Sequence, residues 1–332
     1  GTDLRFFEDR LKLTATYYEN YIENLLFEVL VAPSTGFLEK YDNAAEMENK
    51  GIELDVSYAF LQSNDWNGNV FFNFNANRNK VTSLSGTESL LLAGFTNAGT
   101  RAVEGEPLGV LWGGLWAKDE ASNLILDENG FPTVAAEAGI YGDPNPDWRG
   151  GAGLNLGWKD ISASILFETF QGGDYSEATR GVLYTFGKHA DNGNEVTPTQ
   201  DILNYDGEVI PAGQQVRGNI VDWGAGPVLL DQAWYTTLGS GFGAVREQFV
   251  TDGSWTRLRE ASVSYTLRNS WLRNTLKLQS VVFTAAGRNL ALWTDLVGVD
   301  PETSLTGGFG QGLEYFTNPG TKSYLFTLKI NY

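Results

Sequence analysis

Apolar and polar residues alternate along much of this chain with a period of two. In the clearest segment every second residue from Ile52 to Phe60 is apolar, and the positions between them include Glu53, Asp55 and Ser57. Because successive side chains of a strand point to opposite faces, this pattern predicts a strand with one apolar and one polar face. The same alternation recurs throughout and predicts nine strands, at 3–7, 10–24, 50–61, 69–82, 149–158, 161–171, 255–268, 275–288 and 322–332.

The predicted links between these strands have two sizes, which alternate strictly along the chain. A meander with its long loops at one end and its short turns at the other is typical of outer-membrane β-barrels. The fold class predicted is therefore all-β, an antiparallel transmembrane β-barrel. A soluble β-sandwich or propeller is the alternative, because its strands alternate as well. The short links are 8–9, 62–68, 159–160 and 269–274, and the long ones are 25–49, 83–148, 172–254 and 289–321.

Aromatic residues gather at the predicted short-turn end of this sheet. Trp66, Trp158 and Trp271 lie in or beside short turns, and Tyr332 ends the sequence on the same side. Aromatic side chains at one level predict a girdle at a membrane–water interface. The apolar parity switches once, between Leu278 and Val281, and this switch predicts a β-bulge inside the strand 275–288.

Nine strands are not expected to close a barrel by themselves. Each unsatisfied backbone group of an open strand edge costs several kcal/mol in lipid, so the sheet is expected to continue in chain outside this sequence. Residue 1 is glycine and the first methionine is Met47, which suggests a fragment. We therefore expect residues 1–332 to be the C-terminal part of a larger barrel, with the earlier strands lying elsewhere.

Composition narrows the functional classes. The chain has no cysteine, so it has no disulfide and no thiolate metal site. It has no apolar run long enough for a transmembrane helix. Its net charge of −18 disfavours nucleic acid, whose binding depends on Lys and Arg neutralising phosphates.

Several blocks of the sequence, taken in their order and spacing, resemble a known family. They are similar to the SusC/RagA-type TonB-dependent transporters of Bacteroidetes outer membranes, and their succession spans essentially all 332 residues. The blocks are Phe6-Phe7-Glu8-Asp9-Arg10-Leu11 with Tyr17-Tyr18, Glu48-Asn49-Lys50-Gly51-Ile52-Glu53-Leu54, Gly105-Glu106-Pro107-Leu108-Gly109, Gly142-Asp143-Pro144-Asn145-Pro146-Asp147-Trp148, Asp252-Gly253-Ser254-Trp255-Thr256-Arg257-Leu258-Arg259-Glu260, and Gly287-Arg288-Asn289-Leu290 followed by Trp293-Thr294 and Gly298-Val299-Asp300-Pro301-Glu302.

This resemblance implies a 22-stranded barrel filled by an N-terminal plug, of which this chain would supply about the last nine strands. It implies an outer-membrane location, energy coupling to TonB through the absent N-terminal region, and a SusD-like surface lipoprotein as partner. The implied activity is import of oligosaccharides, or oligopeptides for some members, with no cofactor and no catalysis. It also implies that the barrel-assembly machinery reads the apolar face of the last strand, formed by Tyr324, Phe326, Leu328, Ile330 and Tyr332.

Residues that could carry catalysis are few. The single histidine, His189, lies in a polar loop and is expected to be solvent-exposed, so nucleophile–base pairs and common zinc sites lack parts. Two glycine-rich runs, 239–243 and 307–312, lack the strand-to-helix context of a nucleotide loop and predict flexible loops. The run Asp127-Glu128-Asn129-Gly130 lacks the spacing of an EF-hand loop and predicts a turn.

The predicted long loops favour a binding role instead. Aromatic faces can stack on sugar rings while carboxylates and amides bind hydroxyls, although the same rings could pack loop against loop or against a partner. The loop 172–254 is the first choice for a ligand or partner surface, and its eleven acidic and four basic residues disfavour strongly anionic ligands. A passive porin, a siderophore-type receptor without a lipoprotein, and an extracellular β-rich enzyme or adhesin are the alternatives. The candidate aromatic residues are Trp112, Trp116, Tyr141, Trp148, Trp223, Trp234 and Tyr235.

Overall fold

The computed structural model describes residues 1–84, 87–95, 98–305 and 308–332. Within these ranges the largest element is a nine-stranded antiparallel sheet, in which each strand pairs with the next one along the chain. The sheet is open over the described residues, with its first and last strands at the edges, and it confirms the predicted all-β antiparallel class. Its strands are β1 (Thr2–Phe6), β2 (Leu11–Leu30), β3 (Glu39–Gln62), β4 (Trp66–Leu84), β5 (Trp148–Trp158), β6 (Ile161–Gln171), β7 (Trp255–Leu267), β8 (Ser280–Thr294) and β9 (Ser323–Asn331).

The strand register joins the apolar positions into one continuous face, which we call the outer face. Its side chains remain exposed instead of entering a protein core: Ile52 is 52% exposed and Phe283 is 49% exposed. The opposite, inner face carries polar residues such as Thr14, Asp55 and Asn73, which are also paired in register. An exposed apolar face is what lipid contact requires. One row of paired outer-face residues crosses all nine strands: Phe6, Leu11, Tyr58, Val70, Leu154, Ile165, Ala261, Gly287 and Tyr324.

Stacked aromatic pairs mark both ends of the outer face. At the short-turn end Trp66 stacks on Trp158, two residues of the predicted girdle, with ring centroids 5.7 Å apart. At the other end of the same strands Phe74 stacks on Trp148, also at 5.7 Å. Ten residue steps along β5 lead from Trp148 to Trp158. At about 3.3 Å per step and a tilt of about 40° they rise about 25 Å, the height of the apolar band of an outer-membrane barrel.

The predicted long link 25–49 is wrong. Strands β2 and β3 continue to Leu30 and Glu39, so that only residues 31–38 connect them, with a 3₁₀ turn at Pro33–Thr35. A buried hydrophobic cluster supports the extended part of this hairpin, because Leu25, Phe27 and Val29 pack against it. The strict alternation of long and short links therefore fails at this one hairpin. The cluster consists of Ala44, Ala45, Val81, Leu84, Leu90 and Ala102.

The predicted bulge near 278–281 is also wrong. A π-helical turn, Leu272–Leu276, fills the preceding link, and β8 begins only at Ser280, so the parity switch marks the start of a strand. A bulge lies instead in β7, where the pairing with both neighbours shifts between Leu258 and Glu260. An extra residue reverses the facing of all positions beyond it. Above the bulge the odd-numbered residues of β7 therefore face inward.

The loops carry further secondary structure. No helix in the described ranges is both long and apolar enough to cross a membrane. Helices α1 (Ala178–Thr185) and α2 (Gln232–Thr236) and the 3₁₀ turns Ala190–Gly193 and Glu247–Phe249 lie between β6 and β7. Short strands form small sheets: Ser89–Phe95, Ala98–Val103, Val110–Gly113 and Gly139–Gly142 in one; Asp174–Glu177, Val250–Asp252 and Leu313–Glu314 in a second; Glu195–Val196 with Val216–Arg217; and Ile202–Asn204, Val209–Ile210, Asn219–Asp222 and Pro227–Leu230 in a fourth.

Candidate functional site

A three-stranded sheet ties the long loops together at their base. Its central strand, Asp174–Glu177, pairs with Val250–Asp252 on one side and with Leu313–Glu314 on the other. The carboxylate of Glu177 is buried and lies 3.2 Å from the guanidinium of Arg180. The carboxylate of Glu314 is also buried and accepts the backbone N–H of Thr179 at 3.1 Å. Because these buried acids have partners, the loop base is a folded unit.

Four of the predicted binding aromatics lie in a core shared by two loops. Trp234 and Tyr235 are only 4% and 5% exposed, and Trp116 stacks on Trp234 at 6.2 Å. Trp223 and Phe131 also contact Trp234, with ring centroids at 5.3 and 5.4 Å. Burial of this kind favours the packing role, in which one loop stabilises the other, over direct contact of Trp234 and Tyr235 with a ligand.

The remaining predicted aromatics, Trp112, Tyr141 and Trp148, lie outside this core, and Trp112 and Tyr141 belong to two paired loop strands. Trp112 lines a cleft of about 620 Å³, and the guanidinium of Arg101 lies 5.1 Å from its ring centroid. The hydroxyl of Tyr141 lies 3.3 Å from Ser176 Oγ, and burial raises the pKa of this phenol. Trp148 belongs to the outer face, where it stacks on Phe74. The seven predicted residues therefore do not form a single site.

A row of stacked side chains at the top of the inner face is a stronger candidate. Arg149 of β5, Phe170 of β6 and Trp255 of β7 are direct cross-strand partners at the long-loop end of the sheet. The Arg149 guanidinium lies 4.9 Å from the Phe170 ring centroid. Phe170 and Trp255 are nearly parallel at 6.2 Å. Arg257 and Arg259 lie over Trp255 at 5.9 and 5.7 Å, and we call these five residues the arginine–aromatic column.

Two residues of the column hold a long loop onto the inner face. Arg257 Nη2 lies 2.6 Å from Asp300 Oδ1, and both side chains are buried, at 5% and 7% exposure. Arg257 Nε lies 2.8 Å from Glu302 Oε2, and Arg259 contacts both Glu302 and Glu168. The loop 295–322 is therefore fixed to β7 by buried and half-buried ion pairs.

A cavity of about 350 Å³ lies between the column and the loops. Arg149, Phe170 and Trp255 form its wall side, and Asp174 and Gln311 contribute polar groups from the loops. Asp174 Oδ2 accepts the backbone N–H of Asp143 at 2.7 Å, and burial raises the pKa of this carboxyl. The cavity is large enough for one or two units of an oligomer and offers both donors and acceptors.

Sequence reasoning missed this site. In the sequence, Trp255 and Arg257 stand out only as parts of a block that resembles the family, and Arg149 and Phe170 belong to no such block. A usable signal existed, because each of Arg149, Phe170 and Trp255 stands at the end of a predicted strand that leads into a long loop. Which of them share a face depends on the bulge in β7, which the sequence pattern does not show.

The histidine and the acidic turn have structural roles here. His189 Nδ1 accepts the backbone N–H of Asp191 at 3.2 Å, and its ring meets that of Tyr184 edge to face at 4.5 Å. Asp127 Oδ1 accepts the backbone N–H groups of Asn129 and Phe131, as the predicted turn requires. Over the described ranges no cluster of three or more His, Cys, Asp or Glu residues could hold a metal ion.

The prediction that the glycine run 239–243 is flexible is wrong. The Gly241 N–H donates to Gly181 O at 2.9 Å, and a Cβ on Gly241 would lie 2.2 Å from Gly181 C. Glycine is needed there because the chain crosses α1 in backbone contact. In the second run Gly307 lies outside the described residues. Gly312 has a φ of +75° and packs against Pro144 at the cavity.

Comparison with known proteins gives a consistent result. The family model described as "TonB dependent receptor-like, beta-barrel" matches residues 1–290. TonB-dependent receptor P3 of Formosa agariphila is 27% identical over 370 residues, covering 100% of this chain and 33% of that protein. TonB-dependent receptor P26 of the same species is 26% identical over 335 residues, covering 92% and 31%. The chain thus spans about a third of the length of these curated relatives.

Solved structures of the RagAB peptide importer share the fold. One, in the "closed-closed" state, superposes with a TM-score of 0.68 at 18% identity, covering 99% of this chain and 34% of that chain. Another structure of the RagAB peptide transporter superposes with a TM-score of 0.68 at 20% identity, and the match again covers 99% of this chain and 34% of that chain. Identities this low establish similarity of fold alone.

Proposed function

This chain belongs to the TonB-dependent receptor-like β-barrel family, and from that premise we propose that it forms the C-terminal part of an outer-membrane importer for oligosaccharides or oligopeptides. Members of this family are outer-membrane receptors and transporters and are not enzymes. In the proposed mechanism the loops bind the ligand at the mouth of the barrel. TonB then displaces a plug that lies outside this chain, and no covalent bond is made or broken.

The observation that carries this proposal is the cavity at the arginine–aromatic column. It opens at the long-loop end of the inner face, where a transported molecule would enter the barrel. The outer face below it is apolar over a height of about 25 Å, which suits a position within a bilayer. This chain shares its fold with the RagAB importer but covers only about a third of the length of its relatives. Both observations support a plug that lies outside residues 1–332.

We further propose that a SusD-like surface lipoprotein covers the loops. Phe186 and Phe242 lie on the loop surface, at 64% and 50% exposure, and pack edge to face at 6.2 Å. An exposed aromatic pair on an ordered loop is typical of a protein–protein contact. The fold that this chain shares with the RagAB peptide importer supports such an arrangement.

Co-purification tests the proposal. The full-length receptor, tagged and expressed with the lipoprotein encoded beside it, is expected to retain that lipoprotein in mild detergent. The Phe186→Asp/Phe242→Asp variant is expected to lose at least about 90% of it, because burying two carboxylates at an interface costs several kcal/mol. Val209→Asp is the matched control, since Val209 is an exposed apolar residue of the same loop without a ring contact.

The material that co-purifies with the complex, identified by mass spectrometry, provides the probe for transport. Its labelled form is expected to accumulate in cells only while TonB and the proton gradient are intact. Accumulation that persists after protonophore treatment would support a passive porin instead. A receptor that purifies alone and still imports with TonB would support the siderophore-type alternative.

A further inference from the structure

Arg149 differs from the other arginines of the inner face. Arg257, Arg259 and Arg288 each lie within 3 Å of a carboxylate, from Asp300, Glu302 or Glu260. Among the residues that the structure describes, Arg149 has neither a carboxylate partner nor a hydrogen-bond acceptor, and its guanidinium lies over the ring of Phe170. A guanidinium without an acceptor at the wall of a cavity is a ready-made anion site.

The stacking geometry leaves the donors of Arg149 available. A cation–π contact uses no hydrogen bond of the guanidinium, so the N–H groups of Arg149 stay available to an acceptor. Phe170 stacks in turn on Trp255, so the ring beneath the cation is itself packed. A planar fork of donors matches a carboxylate, which can accept two parallel hydrogen bonds from it.

We propose that Arg149 binds a carboxylate group of the imported oligomer, in the cavity beside Phe170 and Trp255. This inference rests on the proposed function and names the chemical group that the site recognises. The group can come from an acidic sugar unit or from the free C-terminus of a peptide, and both present the same planar anion. The cavity also limits the charge of the ligand, because Asp174 and Glu302 line it and repel a second anion nearby. The ligand therefore carries its carboxylate among neutral hydroxyl or amide groups, which Gln311 and Ser304 can bind.

Calorimetric titration of the full-length receptor–lipoprotein complex tests this assignment. The probes are a trisaccharide that has a single terminal uronate against its methyl ester, and tetraalanine against its C-terminal amide. The free-carboxylate form of one pair is expected to bind about 10- to 100-fold more tightly than its blocked form, as charge-assisted hydrogen bonds do. The pair that shows the preference identifies the source of the carboxylate.

The preference is expected to disappear in Arg149→Gln and to survive in part in Arg149→Lys, which keeps the charge without the fork. Arg217→Gln is the matched control, since it removes the same charge from an exposed loop position. Retention of the lipoprotein shows that each variant is folded.

Three results would overturn the assignment: equal binding of the free and blocked forms, a preference that persists in Arg149→Gln, or no binding of any probe. TonB-dependent uptake of the co-purified ligand alongside any of these would leave the proposed function standing. Absence of that uptake would overturn both.

Discussion

Replacing Ile330 and Tyr332 by aspartate is expected to abolish insertion of the receptor into the outer membrane. Ile330 belongs to the outer face of β9 and pairs with Val281 of β8, and Tyr332, which follows the last residue of β9, continues the same apolar alternation; both side chains are exposed. Two carboxylates on this face would have to enter the apolar band or its interface, where charged groups are strongly disfavoured. The measurement is the amount of heat-modifiable receptor in outer-membrane fractions.

The same strand offers a matched control. Thr327 and Lys329 lie between the outer-face residues and point to the inner face. Their replacement by aspartate introduces the same groups into a polar environment, so insertion is expected to remain near the wild-type level. Normal amounts of folded receptor from the Ile330→Asp/Tyr332→Asp variant would contradict the assignment of β9's outer face to lipid.

The membrane-facing part of the fold was predictable because lipid imposes the pattern. Strand β6 was predicted with its observed bounds, 161–171, and β5 and β9 within one residue at each end. In each of these strands one face must be apolar for the whole height of the band. The alternation therefore runs through most of each strand, despite exceptions such as Leu166 and Leu325 on the inner face, and no long-range information is needed to detect it.

The extension of β2 and β3 could not be predicted in this way. Beyond the Phe74–Trp148 pair, both faces of this hairpin contact water or loops instead of lipid. Outer-face positions there are occupied by charged residues, namely Glu19, Glu48 and Lys50. The period-two signal stops there while the backbone pairing continues. The alternation of apolar and polar residues thus ends where contact with lipid ends. A strand that continues beyond this point is predicted to be shorter than it is.

The candidate site was only partly predictable for a different reason. The sequence indicates correctly that the loops are rich in aromatic residues, but not whether a ring is buried. Trp234 contacts Trp116 and Phe131, which are more than a hundred positions away, so its burial is decided by how two loops fold together. The cavity at Arg149 likewise depends on cross-strand register and on the bulge in β7.

Replacing Arg257 by methionine is expected to release the loop 295–322 from the inner face. The change leaves the carboxylate of Asp300 buried without its cation, and removal of one partner of a buried ion pair costs about 3–5 kcal/mol. Asp300 also accepts the backbone N–H groups of Gly320 at 2.9 Å and Glu302 at 3.1 Å, so these amides report on the loop. Hydrogen exchange at both is expected to accelerate by at least about 100-fold in the intact receptor.

Two further variants separate the buried charge from a general effect on the sheet. Arg288→Met breaks the ion pair between Arg288, which is 57% exposed, and Glu260. Because surface ion pairs contribute at most about 1 kcal/mol, hydrogen exchange at the Gly320 and Glu302 amides should change little. Arg257→Met/Asp300→Leu removes both charges and is expected to recover part of the loss. Recovery stays incomplete because Gly320 and Glu302 then lack their acceptor. Unchanged exchange in Arg257→Met would show that the loop is held by the three-stranded sheet at its base instead of by the column.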